Sequence, residues 1–149
     1  MGLSCSCGVR TNPVATSRFD MFFFEDRSTR RGSITLSVNA CADRLESTTF
    51  TATFTDQSDL GDNRSFIFSA TPANTRSVSC GFVDVGECIV TIKGEGLVTG
   101  ETTLRVFEVN FITRPSTLFN FIIDDFASGP SFGSEDIQSD LTFFGCNEN

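Results

Sequence analysis

Residues 33–38 alternate without a break, with Ser33, Thr35 and Ser37 on one side and Ile34, Leu36 and Val38 on the other. Successive side chains of a strand point to opposite faces, so this pattern describes a strand with one face in a core and the other in water. The same period recurs in residues 49–55, where Phe50, Ala52 and Phe54 alternate with Thr49, Thr51, Thr53 and Thr55. Further strands are expected at 18–25, 64–70, 76–83, 88–93, 102–113, 117–123 and 140–144, about nine in all. In residues 102–113, Leu104 and Val106 share one face and Phe107, Val109 and Phe111 the other. Two explanations stand, coverage of both faces or a bulge near Val106, and the second is favoured. Turn-forming clusters separate the segments, at 31–32, 56–63, 71–74, 84–86, 93–100, 114–115 and 128–134. No stretch of a dozen residues carries a helical stripe, and residues 40–47 suit one helical turn or a loop. The expected fold is therefore all-β, an antiparallel jelly-roll-like sandwich of about eight to nine strands. Residues 16–149 form this sandwich, and residues 1–15, rich in Gly, Ser, Cys and Pro, form an extended N-terminal arm.

A chain of 149 residues has room for a core of its own. Its aromatic content is seventeen Phe with no Tyr and no Trp. Phe has no polar handle, which assigns these rings to a dry core or a dry permanent interface. The net charge of −8 argues against nucleic acid and against anionic membrane surfaces as partners. No apolar run approaches the roughly 20 residues of a spanning helix. The N-terminus lacks the pattern of a secretory signal.

The inventory for catalysis is short, and no catalytic residue is assigned. Without His, the usual Ser-His, Cys-His and His-metal sites cannot be built. Lys93, the only lysine, reads as a solvated cation at a strand end. The adjacent acids Glu25-Asp26 and Asp124-Asp125 point to opposite strand faces and make no ready acid/base pair. No cofactor, metal or small-molecule substrate is expected. The weak exception is calcium at Asp56, Asp59 and Asp62, where Leu60 breaks the ligand order of an EF-hand and an ordinary acidic turn is favoured. The Thr49–Thr55 row could order water, but strand propensity alone accounts for it. Asn63-Arg64-Ser65 is a glycosylation sequon. Met1-Gly2-Leu3-Ser4-Cys5-Ser6 matches a myristoylation pattern that requires loss of Met1.

Six cysteines, with no C-x-x-C and no His, favour disulfides and an oxidising location. Fifteen connectivities are open. Cys80 and Cys88 flank the turn at Asp84, Cys41 and Cys146 could tie the C-terminal tail to the body, and these four are the candidates for bonds within the domain. Cys5 and Cys7, in the arm, are the candidates for links between subunits.

A cysteine-bearing arm before a Thr/Ser-rich β-sandwich resembles the subunits of bacterial endospore appendages and related spore-surface proteins. The arm match is Cys5 and Cys7, and Asn63-Arg64-Ser65-Phe66-Ile67-Phe68 is similar in style to that family's strands. The arm lacks the family's adjacent cysteines. The resemblance implies self-assembly by strand augmentation, with arm cysteines cross-linking successive subunits. The expectation is thus a structural subunit of an extracellular or spore-surface filament or coat, with itself as partner. The alternatives are a secreted carbohydrate-binding or adhesive module, against which the missing Trp and Tyr count, and a carboxylate-only hydrolase, which requires two acids facing each other in a cleft.

Overall fold

A computed structural model of the chain describes residues 5–84, 87–113, 116–129 and 141–145. Its strands are β1 (Gly8–Thr11), β2 (Ala15–Phe24), β3 (Thr29–Cys41), β4 (Thr49–Asp56), β5 (Phe66–Ala70) and β6 (Ser77–Asp84). They continue with β7 (Glu87–Val98), β8 (Arg105–Thr113), β9 (Ser116–Ile123), β10 (Ala127–Gly129) and β11 (Leu141–Phe144). Helix is confined, among the described residues, to two 3-10 turns, Leu45–Ser47 and Pro72–Asn74. The first of these lies where one helical turn or a loop was expected.

The strands do not form an open jelly-roll sandwich. Going round the sheet, β3, β2, β10, β9, β8, β7, β5 and β4 pair in that order, and β4 then pairs with β3 again. Every ladder in this ring is antiparallel. The expectation of a sandwich is corrected to an eight-stranded closed barrel. Alternation along a strand is identical in the two architectures. What separates them is that both edges of β3 are occupied, which leaves no edge at that seam.

Two long strands exceed the height of the ring and carry extra partners. One edge of β3 pairs with β4 over Gly32–Asn39, while its other edge pairs first with β2 and then with β1. Where the chain passes from β1 to β2, the buried Thr11 hydroxyl accepts the Val38 N–H at 3.0 Å and donates to the Pro13 carbonyl at 2.7 Å. The break in the ladder therefore leaves no orphaned donor at Val38. Likewise one edge of β7 pairs with β8, and its other edge pairs with β6 and then β5. At this end the barrel opens into two ribbons, β11-β1-β3 and β6-β7. The arm is thus part of the sheet, its strand β1 lying between β3 and β11.

The barrel is filled by phenylalanine. Phe22, Phe50, Phe54, Phe68, Phe107, Phe111 and Phe121 are all at or below 2% exposure. Phe50 stacks on Phe107 at 5.7 Å and meets the edge of Phe121 at 5.1 Å; Phe66 and Phe126 meet edge-on at 5.1 Å. Such a core is dry and leaves no ligand chamber among these rings. Of residues 93–100, expected as a turn, Lys93 to Val98 instead complete β7, and the turn is confined to Thr99-Gly100. A Cβ at Gly96 would come within 2.6 Å of the Phe68 ring, and one at Gly94 within 3.2 Å of Phe107. The Ser69 carbonyl oxygen at Gly96 and the Asn74 carbonyl oxygen at Gly94 lie nearer still, so these glycines make room for neighbouring backbone and rings and do not mark a bend. The bulge expected near Val106 lies further on, between Asn110 and Phe111 in the pairing with β9. Leu104 and Val106 do share a face, and it is the exposed one.

Candidate interaction surface

The arm cysteines are used within the chain. Cys5 is bonded to Cys41 and Cys7 to Cys80, with Cα separations of 5.8 and 6.0 Å. The expected pairings Cys80–Cys88 and Cys41–Cys146 are therefore corrected, and so is the assignment of Cys5 and Cys7 to links between subunits. The cause is β1: pairing Gly8 with Cys41 brings the residues just before β1 alongside the end of β3. Cys88, buried at the start of β7, is disulfide-bonded as well, and Cys146 lies outside the described residues. Cys7–Cys80 joins the two ribbons across the open end of the barrel. Such disulfides agree with an oxidising environment. Of the myristoylation pattern, residues 1–4 lie outside the described residues.

Asp43 follows Cys41 by two residues and secures the same corner. Its carboxylate accepts the Ser6 N–H and the Ser6 hydroxyl, both at 2.8 Å. These bonds hold its pKa below the ordinary range.

The acidic loop after β4 is organised by a guanidinium. Asp56 and Asp62, two of the three calcium candidates, both bond to Arg30. Arg30 Nη1 also donates to the Asp62 carbonyl at 2.8 Å. Asp56 is 2% exposed and additionally accepts the Ser58 N–H and hydroxyl and the Arg64 N–H. Asp59 is exposed and does not join them. The positive charge between these carboxylates is thus an Arg side chain, and the loop is the ordinary side-chain-to-backbone turn. Asn63 is exposed, with its Oδ1 accepting the Ser65 N–H at 2.9 Å. Nearby, Arg64 lies over the Phe24 ring at 4.5 Å and bonds Asp26 at 2.7 Å.

Four carboxyls therefore titrate below their ordinary values. Ser28, then Arg64, lowers Asp26, Ser6 lowers Asp43, and Arg105 lowers Glu101. Burial pushes Asp56 up, but bonds from Ser58 and Arg64 and the charge of Arg30 outweigh it. On acidification the unfolded chain binds protons first, because its carboxyls titrate near about 4. Stability from these groups is complete above that range and is lost as pH falls through the folded values. Melting scans should give a midpoint flat from about pH 7 to 5 and declining below about 4. A midpoint that rises below pH 4 would contradict this assignment.

Lys93 lies inside β7 and not at the expected strand end; it is half-exposed and faces Glu108 at 3.7 Å. The Thr49–Thr55 row pairs with Ser33, Thr35, Ser37 and Asn39 of β3, and the closed barrel curves that face. Asp124 and Asp125 sit in the turn between β9 and β10, with Arg105 Nη1 on both their carbonyls at 3.1 and 2.9 Å.

The feature absent from the sequence reading is apolar. On the outer face of β2, β10, β9 and β8, Phe23 and Ile122 flank Ser128 in register. Across the next ladder Ile122 faces Glu108, and Val106 lies diagonal to it on the same outer face. Phe23, Ile122, Val106 and Leu104 are all between 38% and 41% exposed. Two clefts share Ile122 and Asp124 and so run together along this face, one lined by Phe23 and the other by Val106. Exposed Glu25, Asp124 and Asp125 stand at the rim. The signal for it was Leu104 and Val106, an apolar pair in the phase opposite to Phe107.

At the other end of the barrel, Phe82 of β6 is 61% exposed. It shares a face with the buried Val78 and pairs opposite the buried Cys88, so it occupies the core-facing phase beyond the reach of the core. Cys88 and Glu95, the β7 partners of Phe82 and Val106, are seven positions apart. This separates Phe82 from Val106 by roughly 23 Å along the direction of β7. Among the described residues no helix is long and apolar enough to cross a membrane. Comparison of the chain with family profiles, with curated proteins and with solved structures gives no match.

Proposed function

We propose that the protein is a structural subunit of an extracellular assembly, with copies joined end to end by non-covalent contact. The observation that carries this reading is the pair of apolar features at opposite ends, Phe82 at one and the Phe23–Ile122–Val106 groove at the other. Exposed apolar strips on a chain with a filled core mark interaction sites. The acidic rim disfavours a symmetric contact, since two grooves face to face would oppose Glu25, Asp124 and Asp125 with their own copies. The contact is then heterologous, Phe82 of one copy entering the groove of the next, and such contacts propagate into filaments unless they close. Covalent reinforcement is internal to each subunit, which departs from the cross-linked arms that the resemblance implied. The arm contributes β1 to its own sheet, so removing it would weaken the fold itself.

Light scattering on size-exclusion fractions tests this directly. Phe82→Ser and Ile122→Lys should each abolish assembly, because each destroys one end of the contact. Mixed together they should give dimers and nothing larger, since one intact Phe82 meets one intact groove. A wild-type chain that is monomeric at all concentrations, or variants that assemble as it does, would overturn the reading.

A further inference from the structure

The corner that holds Cys5, Cys41 and Asp43 carries chemistry that the assembly reading does not use. One ligand atom from each of the three residues lies within 4.8 Å of the others. The Cys41 sulfur is 3.7 Å from Asp43 Oδ2. Zinc binds thiolate at about 2.3 Å and carboxylate at about 2.0–2.2 Å with tetrahedral angles, which puts such a sulfur and oxygen about 3.5 Å apart. The present spacing is already close to that edge. What excludes a metal is the bond between the two sulfurs, which removes both thiolates.

We propose that Cys5, Cys41 and Asp43 form a Zn²⁺ site that exists only when the Cys5–Cys41 disulfide is reduced. A dithiol supplies two electrons and two protons to the S–S bond, its own sulfurs leaving joined as a disulfide, and two thiols remain on the protein. Zinc then displaces the two protons, giving two thiolates and one carboxylate around the ion, with water in the fourth position. Two soft sulfur ligands select zinc over calcium or magnesium.

The site does not depend on the disulfide for its shape. Val9 and Arg10 pair with Ala40 and Asn39, and the Ala42 N–H donates to the Cys7 carbonyl at 2.8 Å, so the arm from Cys7 onward is held against the end of β3 without the disulfide. Ser6 fixes Asp43 through its N–H and its hydroxyl, from the residue next to Cys5. The Cα separation of 5.8 Å lets the sulfurs part by side-chain rotation. Cys5 is half-buried and Asp43 exposed, so an ion has a path in. Metal would then replace the covalent staple at this corner when the surroundings become reducing.

The test uses the full chain, reduced with a water-soluble phosphine and desalted without air, and zinc chloride as the probe. Here phosphorus supplies the electrons, water supplies the protons and the oxygen, and the phosphine leaves as its oxide. Titration should show one zinc per reduced chain and none per oxidised chain. With zinc present, iodoacetamide should modify Cys7 and Cys80 while Cys5 and Cys41 are protected, as mass spectrometry of peptides would read. Asp43→Asn should weaken uptake at least about tenfold, the size of loss seen when a metal site is impaired. Cobalt in place of zinc should give a thiolate charge-transfer band. No stoichiometric uptake, Cys5 and Cys41 as reactive as Cys7 and Cys80, or full affinity in Asp43→Asn would each overturn the proposal. Loss of the β spectrum on reduction with zinc present would also overturn it, because the site requires the docked arm.

Discussion

Asp56→Ala is expected to lower folding stability by about 3–5 kcal/mol, the range for removing one partner of a buried ion pair. The side chains of Arg30 and Asp56 are 8% and 2% exposed. Without Asp56 the guanidinium stays buried, facing an Asp62 whose own side chain is 74% exposed. The loss is also geometric, because Asp56 accepts from Ser58 and Arg64 and thereby folds the loop between β4 and β5. Asp62→Ala removes the exposed partner and should cost no more than about 1 kcal/mol. Urea titrations of both variants check the contrast. Equal losses would mean that Arg30 is held by both carboxylates alike. A domain of this kind has about 5–15 kcal/mol in total, so the Asp56 variant should be visibly fragile.

The double variant Cys7→Ser/Cys80→Ser should lose about 3–4 kcal/mol. The bond spans a sequence separation of 73 residues, and the chain-entropy relation gives about 4 kcal/mol for a loop of that length. Part of that loop is already restrained by Cys5–Cys41, which brings the value down. For a chain of this length the loss corresponds to a fall in melting midpoint of about 10 °C. Calorimetry with and without reductant reads the effect, and the variant should respond less to reductant than wild type. A midpoint within about 2 °C of wild type would show that the ribbons β1-β3 and β6-β7 stay together without the bond.

The inner faces of the strands were legible wherever alternation was strict. Ile34, Leu36 and Val38, and Phe50, Ala52 and Phe54, are buried as their spacing predicts. Seventeen Phe without Tyr or Trp pointed to a dry core, and Phe22, Phe50, Phe54, Phe68, Phe107, Phe111 and Phe121 fill one. Closure was not legible, because strand periodicity says which face is inward and nothing about which edges meet. Gly94 and Gly96 read as turn residues because their role depends on Phe68 and Phe107, which come from other strands. The cysteine pairing failed for a similar reason. Cys5 reaches Cys41 only because β1 joins β3, and Gly8-Val9-Arg10-Thr11 is too short to announce itself as a strand. At the acidic loop, the residues were found but their organiser was not. Arg30 sits 26 positions before Asp56, in β3, just ahead of residues 31–32 that looked like a turn.

Seven of the eight ladders that close the ring join strands near one another in sequence; the exception is β2 with β10. That seam is short, with Ala127 opposite Phe24 and Ser128 opposite Phe23. It brings together chain segments about a hundred residues apart, so it has the largest loop to close and, among the described residues, the fewest paired positions. The groove lies over this seam, with Phe23 on one side and Ile122 on the other. An aromatic side chain seated there would bridge both sides and act as a latch. Each subunit added to a chain of copies would fasten the barrel of the one before it, and the copy whose groove is vacant would be the one most easily unzipped.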